Sequence, residues 1–147
     1  MLIFYQAIMA LAGFFGLTRV LRLPQPFLKY ILALQCIAII LSFTSVDSIL
    51  LFYLPVLLII IYAAIAKDMT TIKRSIIVLI ALPVLAHGVF TMNHWPHVYE
   101  LKFLQLLPLA LYAGVVLPKR NDYYLELPSL TIIAADALIQ VISLMVR

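Results

Sequence analysis

The chain has 147 residues, of which 66% are hydrophobic and 11% charged, and its mean hydropathy is +1.17. A soluble domain carries ~45–50% apolar and ~25% charged residues, and a chain this short keeps too large a share of its surface wet to hide the excess in an aqueous core. These values exclude an ordinary soluble enzyme, a nucleic-acid module and a disordered tail, and make lipid the solvent for most of the chain. Ten Lys and Arg against six Asp and Glu give a net charge of +4. The basic residues sit between apolar runs, where they act as topology signals rather than as a nucleic-acid footprint.

A bilayer core ~30 Å thick needs ~20 apolar residues per helix, or ~17 at the short end. Six such stretches follow one another, near 2–18, 28–46, 48–66, 74–92, 99–117 and 124–146. No basic leader or small-residue cleavage site precedes the first, so no removable signal peptide is expected. The breaks carry helix-stopping or polar residues: Leu23-Pro24-Gln25-Pro26, Thr44–Ser48, Lys67–Arg74, Asn93-His94-Trp95-Pro96-His97 and Pro118–Asp122. Proline lacks an N–H and disfavours helix in the residue before it. Pro55, Pro83, Pro108 and Pro128 fall within or near the starts of spans, where they predict kinks or late helix starts. The linkers are too short for a soluble domain. The expectation is an all-α integral membrane protein of six transmembrane helices, a single membrane domain over 1–147.

Eight of the ten basic residues fall in the odd-numbered junctions: Arg19, Arg22, Lys29, Lys67, Lys73, Arg74, Lys119 and Arg120. Lys102 and Arg147 lie on the other side. The positive-inside rule then makes the odd junctions cytoplasmic and leaves both termini outside, in the periplasm of a bacterial inner membrane. The single cysteine, Cys36, lies in an apolar run and reads as a small buried side chain.

The chain also resembles itself. Gly16–Pro24 aligns with Gly88–Pro96 at an offset of 72. After one inserted residue the offset is 73, and Leu28-Lys29-Tyr30 matches Leu101-Lys102-Phe103, Tyr53-Leu54-Pro55 matches Glu126-Leu127-Pro128, and Ile59-Ile60 matches Ile132-Ile133. Two three-span units, about 1–70 and about 73–147, must then be inverted relative to each other, because three is odd. The charges agree: the junction with Arg19 and Arg22 has as its counterpart one with Asn93, His94 and Trp95, and the Asp47 junction has one with Lys119 and Arg120. Inverted repeats are common in transporters, with the substrate site where the halves meet, although fold alone does not prove transport.

Asp136 lies midway along the last span. A carboxylate at the bilayer centre costs ~2.5–3.5 kcal/mol even on the lenient insertion scale. Helical spacing puts Ser129, Asp136, Gln140 and Ser143 on one stripe, which must face protein or water. Such a stripe is either a proton or cation site or a packing seam in which a neutral acid bonds a neighbouring helix. Asp136 has Ala63 as its counterpart, so the acid is not duplicated. His87, His94, His97 and Glu100 cluster about the fourth junction. Imidazoles and a carboxylate are valid ligands for zinc, copper or iron, but no cysteine or second histidine pair supports a metal site, and neither metal nor cofactor is expected. Gln6, Gln35 and Gln105 are isolated amides of the kind that glue helices together. No nucleophile–base motif or phosphate-binding loop occurs, so the chain is not expected to be an enzyme.

Met92, His94, Trp95 and Pro96, with Asn93 inserted among them, end one helix before another apolar one. This segment resembles the transmembrane hairpin of the gliding-motility and type IX secretion motor stators of Bacteroidota, and of related small membrane proteins. The resemblance covers about thirty residues. It implies a bacterial group and a hairpin with its turn on the periplasmic side, in agreement with the charges. The stators' buried glutamate and cytoplasmic region have no counterpart here, so motor activity does not carry over. The expected role is a non-enzymatic subunit or accessory of a membrane complex, in contact with lipid and with membrane-protein partners or a second copy of itself, and not with nucleic acid. The alternative is a small inverted-repeat transporter or channel for a cation, proton or small solute using Asp136.

Overall fold

A computed structural model describes residues 2–43 and 49–146. Met1, Arg147 and the junction expected at Thr44–Ser48 lie outside the described residues. The chain is all-helical, with no strand among the described residues. Its elements are α1 (Leu2–Val20), α2 (Pro26–Ser42), α3 (Ile49–Ile65), α4 (Thr71–Met92), α5 (Val98–Leu104), α6 (Leu106–Leu111), a π-helical turn (Tyr112–Val116) and α7 (Leu127–Met145).

Local chemistry sets the boundaries. Pro26 opens α2 at a first-turn position, where its missing N–H costs nothing. Thr70 is extended, and its Oγ1 accepts the Lys73 N–H at 3.3 Å. This N-cap starts α4 a few residues before the expected 74. The last helix starts at 127 and not at 124, because the preceding chain is wound into turns: the N–H groups of Glu126 and Leu127 both donate to the Tyr123 carbonyl, at 3.0 and 2.7 Å. Pro128 then sits in the first turn of α7. Pro108 cannot donate to the Leu104 carbonyl, and the helix of the fifth stretch breaks between α5 and α6.

Four stretches are long and apolar enough to cross a bilayer: Ile3–Val20, Thr71–Met92, Val98–Val116 and Leu127–Met145. Pro26–Ser42 and Leu51–Ile65 are apolar but shorter. At ~1.5 Å per residue a 17-residue helix such as α2 is roughly 25 Å long, a little under the ~30 Å hydrocarbon core.

Helix α7 is the hub, packed against α1, α2, α4, α5 and α6. Half of its span is buried, against 11% of the Val98–Val116 stretch at the periphery. Around it α1 packs on α2, α2 on α3, α3 on α4, and α4 on α5 and α6. Two glycines allow the closest approaches. A Cβ on Gly16 would press on Ile132 of α7 and on Leu32 and Cys36 of α2, and one on Gly88 would overlap the Tyr53 ring of α3. Cys36 is buried as expected, its Sγ 3.7 Å from the Gly13 carbonyl.

The three odd junctions meet at one end. Lys73 of the third lies 2.8 Å from buried Glu126, which follows the fifth, and its ammonium also donates to the Asp122 carbonyl at 2.7 Å. Tyr62, near the end of α3, donates to Gln25 of the first junction at 2.7 Å. Arg19 lies over the Tyr124 ring, 5.7 Å from its centroid. The helical stretches therefore alternate in direction, and the eight basic residues of these junctions share one end.

Two outcomes follow from this packing. Gly88→Ala should lower the melting temperature in detergent by several degrees, about 1–3 kcal/mol of overpacking. Gly114→Ala, where a Cβ meets nothing within 4 Å, should leave it unchanged or raised. Lys73→Met should destabilise by about 3–5 kcal/mol, since it strands a buried carboxylate. Lys73→Met combined with Glu126→Leu should recover most of that loss, as read by thermal unfolding.

Candidate functional site

At the end opposite the basic junctions, all six helical stretches contribute to one cavity of about 430 Å³. Its polar lining is Gln6 of α1, Ser42 of α2, Tyr53 of α3, His87 and Thr91 of α4, Lys102 of α5, and Asp136 and Gln140 of α7. The rest is apolar and aromatic, including Met9, Ile39, Phe43, Phe52 and Ile139. A concave, largely apolar site with a few convergent polar groups is the usual form of a small-ligand pocket.

Asp136 is half-buried, and its Oδ2 is a buried atom with no hydrogen-bond partner among the described residues. Gln140 is placed beside the carboxylate, one helical turn on, and Tyr53 is near enough to interact with it electrostatically. His87 is buried, and neither of its ring nitrogens has a partner among the described residues. Thr91 does not supply one: its hydroxyl donates to the His87 carbonyl at 2.8 Å, within the helix. Lys102 donates to Ser143 Oγ at 2.9 Å and lines the same cavity as His87. Gly88 lets the Tyr53 ring lie against α4 and so shapes the wall next to His87.

The polar stripe of α7 divides. Only Asp136 and Gln140 reach the cavity. Ser129 is buried deeper, where its hydroxyl donates to Gln35 Oε1 of α2 and ties the hub to its neighbour. Ser143 accepts from Lys102 and donates to the Gln140 carbonyl at 2.6 Å. Gln105 is also interhelical, donating to the Pro83 carbonyl at 3.0 Å. Gln6 instead faces the cavity.

The histidine cluster divides as well. His87 and His94 are seven apart and would share a face only on a helix that reaches residue 94, but α4 ends at Met92. The left-handed His94 stops it, as the His94 and Trp95 N–H groups turn back to the Thr91 and Phe90 carbonyls at 3.3 and 3.0 Å. His94 and His97 follow with left-handed backbones, φ 53° and 70°, and both are exposed. His97 caps α5 and pairs with Glu100 at 3.2 Å. Trp95 folds its ring edge-on against Phe90, centroids 4.9 Å apart, which closes the hairpin turn. Among the described residues no three His, Cys, Asp or Glu side chains converge as a metal site requires.

Sequence reasoning singled out Asp136 and His87 separately but did not bring them to one cavity, and it missed Tyr53 and Lys102. Comparison with protein families, with curated proteins and with solved structures finds no match to the chain.

A buried carboxylate oxygen without a partner costs about 1–3 kcal/mol. Asp136→Leu should therefore hold or raise the melting temperature. A fall of several degrees would mean that the acid is a packing element.

Proposed function

We propose that the chain is a six-span, inner-membrane protein of two inverted halves that carries a small cationic solute, or a proton, through the cavity around Asp136. The observation that carries this reading is that the unpartnered Asp136 carboxylate oxygen and unpartnered His87 line one cavity, to which all six helical stretches contribute. Ionisable groups held within a membrane without partners are costly, and they mark ion and proton pathways.

Two further features support it. The helix pairs α1–α7 and α3–α4 interchange when the halves are exchanged, and matched Gly16 and Gly88 sit at the close approaches of those same pairs. A second cavity, of about 490 Å³, lies at the basic end. Its Gln25, Ala66, Leu125 and Glu126 are the counterparts, at the offset of 73, of Val98, Ile139, Phe52 and Tyr53 in the first. Paired cavities at the two ends of an inverted repeat suit access from either side in turn. The cluster of eight basic residues at one end supports placing that end in the cytoplasm and both termini in the periplasm. The Met92–Pro96 turn, at the other end, agrees with the side its stator resemblance implies.

The test is flux in proteoliposomes carrying a pH or cation gradient. Asp136→Asn should abolish a gradient-dependent flux of the intact protein, and His87→Gln should reduce it by roughly tenfold or more, the scale of losing a positioned proton carrier. Undiminished flux in Asp136→Asn removes the acid from the path.

A second reading, as a non-enzymatic subunit of a membrane complex, is favoured by the exposed face of the peripheral stretch, with Tyr99, Phe103, Leu104, Leu106 and Leu107 turned outward. A particle in mild detergent that holds a second chain in fixed ratio, and loses it on Phe103→Lys, supports that reading.

A further inference from the structure

A third cavity, of about 540 Å³, lies at the basic end between α1, the π-helical turn and the start of α7, and the transport reading makes no use of it. Two arginines from distant parts of the chain converge on it, Arg19 from the last turn of α1 and Arg120 from the turn region beyond Leu117. No acidic side chain lines it. Arg19 is held in place by two rings, its guanidinium carbon 5.5 Å from the Phe15 centroid and 5.7 Å from that of Tyr124. The opposite wall is fixed by Tyr112, whose hydroxyl is 2.6 Å from Thr131 Oγ1 of α7. The π-helical turn begins at Tyr112, whose carbonyl accepts from the Leu117 N–H at 2.9 Å. Such turns are frequent at functional sites.

We infer that this cavity is a binding site for the headgroup of an anionic phospholipid, with the phosphodiester between Arg19 and Arg120. Two guanidinium groups drawn to one concave surface without a carboxylate repel each other, and an anion relieves that repulsion. Guanidinium groups bind phosphate oxygens through paired N–H donors. The cavity lies where the apolar spans meet the basic junctions, the depth at which headgroups sit. Exposed Leu11, one helical turn from Phe15 on the same face of α1, leads away from it along the outer surface, where acyl chains run. A free oxyanion would share the headgroup chemistry but would gain nothing from this apolar approach.

The test uses the intact protein in detergent, with dioleoylphosphatidylglycerol, dioleoylphosphatidylcholine or inorganic phosphate added. The readouts are melting temperature and the lipid retained in native mass spectrometry. Phosphatidylglycerol should raise the melting temperature and remain bound, while phosphatidylcholine and inorganic phosphate should do neither. Arg19→Gln combined with Arg120→Gln should weaken phosphatidylglycerol binding on the order of tenfold or more. Arg120→Gln alone, at an exposed side chain, should weaken it in part without loss of fold. Arg22→Gln combined with Lys29→Gln removes the same charge from the same end and should leave binding within about twofold. The inference is overturned if that control loses as much affinity as the Arg19 and Arg120 pair, since the effect is then general surface charge. It is equally overturned if inorganic phosphate alone reproduces the shift, since the site then takes a free anion.

Discussion

Hydrocarbon offers no hydrogen bonds, and the arrangement of this chain follows from that constraint. Polar side chains within the apolar stretches reach for other helices. Ser129 bonds Gln35, Gln105 bonds the Pro83 carbonyl, Tyr112 bonds Thr131, and Lys102 bonds Ser143. Three of these four ties end on α7, the helix that packs against α1, α2, α4, α5 and α6. The polar stripe of α7 and its central position are one fact seen from two sides: a helix carrying Ser129, Asp136, Gln140 and Ser143 is tolerated only where protein surrounds it. Against that background His87, with no partner on either nitrogen among the described residues, and Asp136, an acid with one oxygen unpaired and no ion pair, line the same cavity.

The two ends of the bundle treat buried acids differently. Glu126 is almost fully buried and has Lys73 at 2.8 Å, so its charge is matched and it links two junctions. Asp136 faces a cavity large enough for a small ligand and has no ion pair among the described residues. A paired acid is a fastening, and an unpaired one beside an open volume is available for chemistry.

Much of this was legible before any coordinates. Hydropathy and proline placement located every helical stretch to within a few residues, because apolar runs and missing N–H groups act locally. Where boundaries moved, the cause was a short-range bond that hydropathy does not register: the Thr70 cap of α4, and the Tyr123 carbonyl that delays α7. The basic residues of the odd junctions were legible as one group because charge bias follows helix direction. Helix neighbours were not legible. Nothing in Ser129 shows that it faces Gln35 rather than Asp136, since rotation about a helix axis is decided by packing. A face shared by His87 and His94 requires a helix that reaches residue 94, and α4 ends at Met92, before the left-handed His94.

The position of the hub in the chain bears on how the protein is made. Synthesis runs from the N-terminus, so α7 emerges after all the helices it packs against, α1, α2, α4, α5 and α6. Until then α1 lacks the neighbour that its Gly16 face fits, and the Gln35 carboxamide lacks Ser129. The nascent bundle is a row of helices held only by sequential contacts, and the last insertion turns that row into a closed body. A chain interrupted before residue 127 would therefore leave apolar helices in the membrane with their inner faces open to lipid and to one another. Quality control that senses unassembled helices would meet this protein as one late event rather than as six gradual ones.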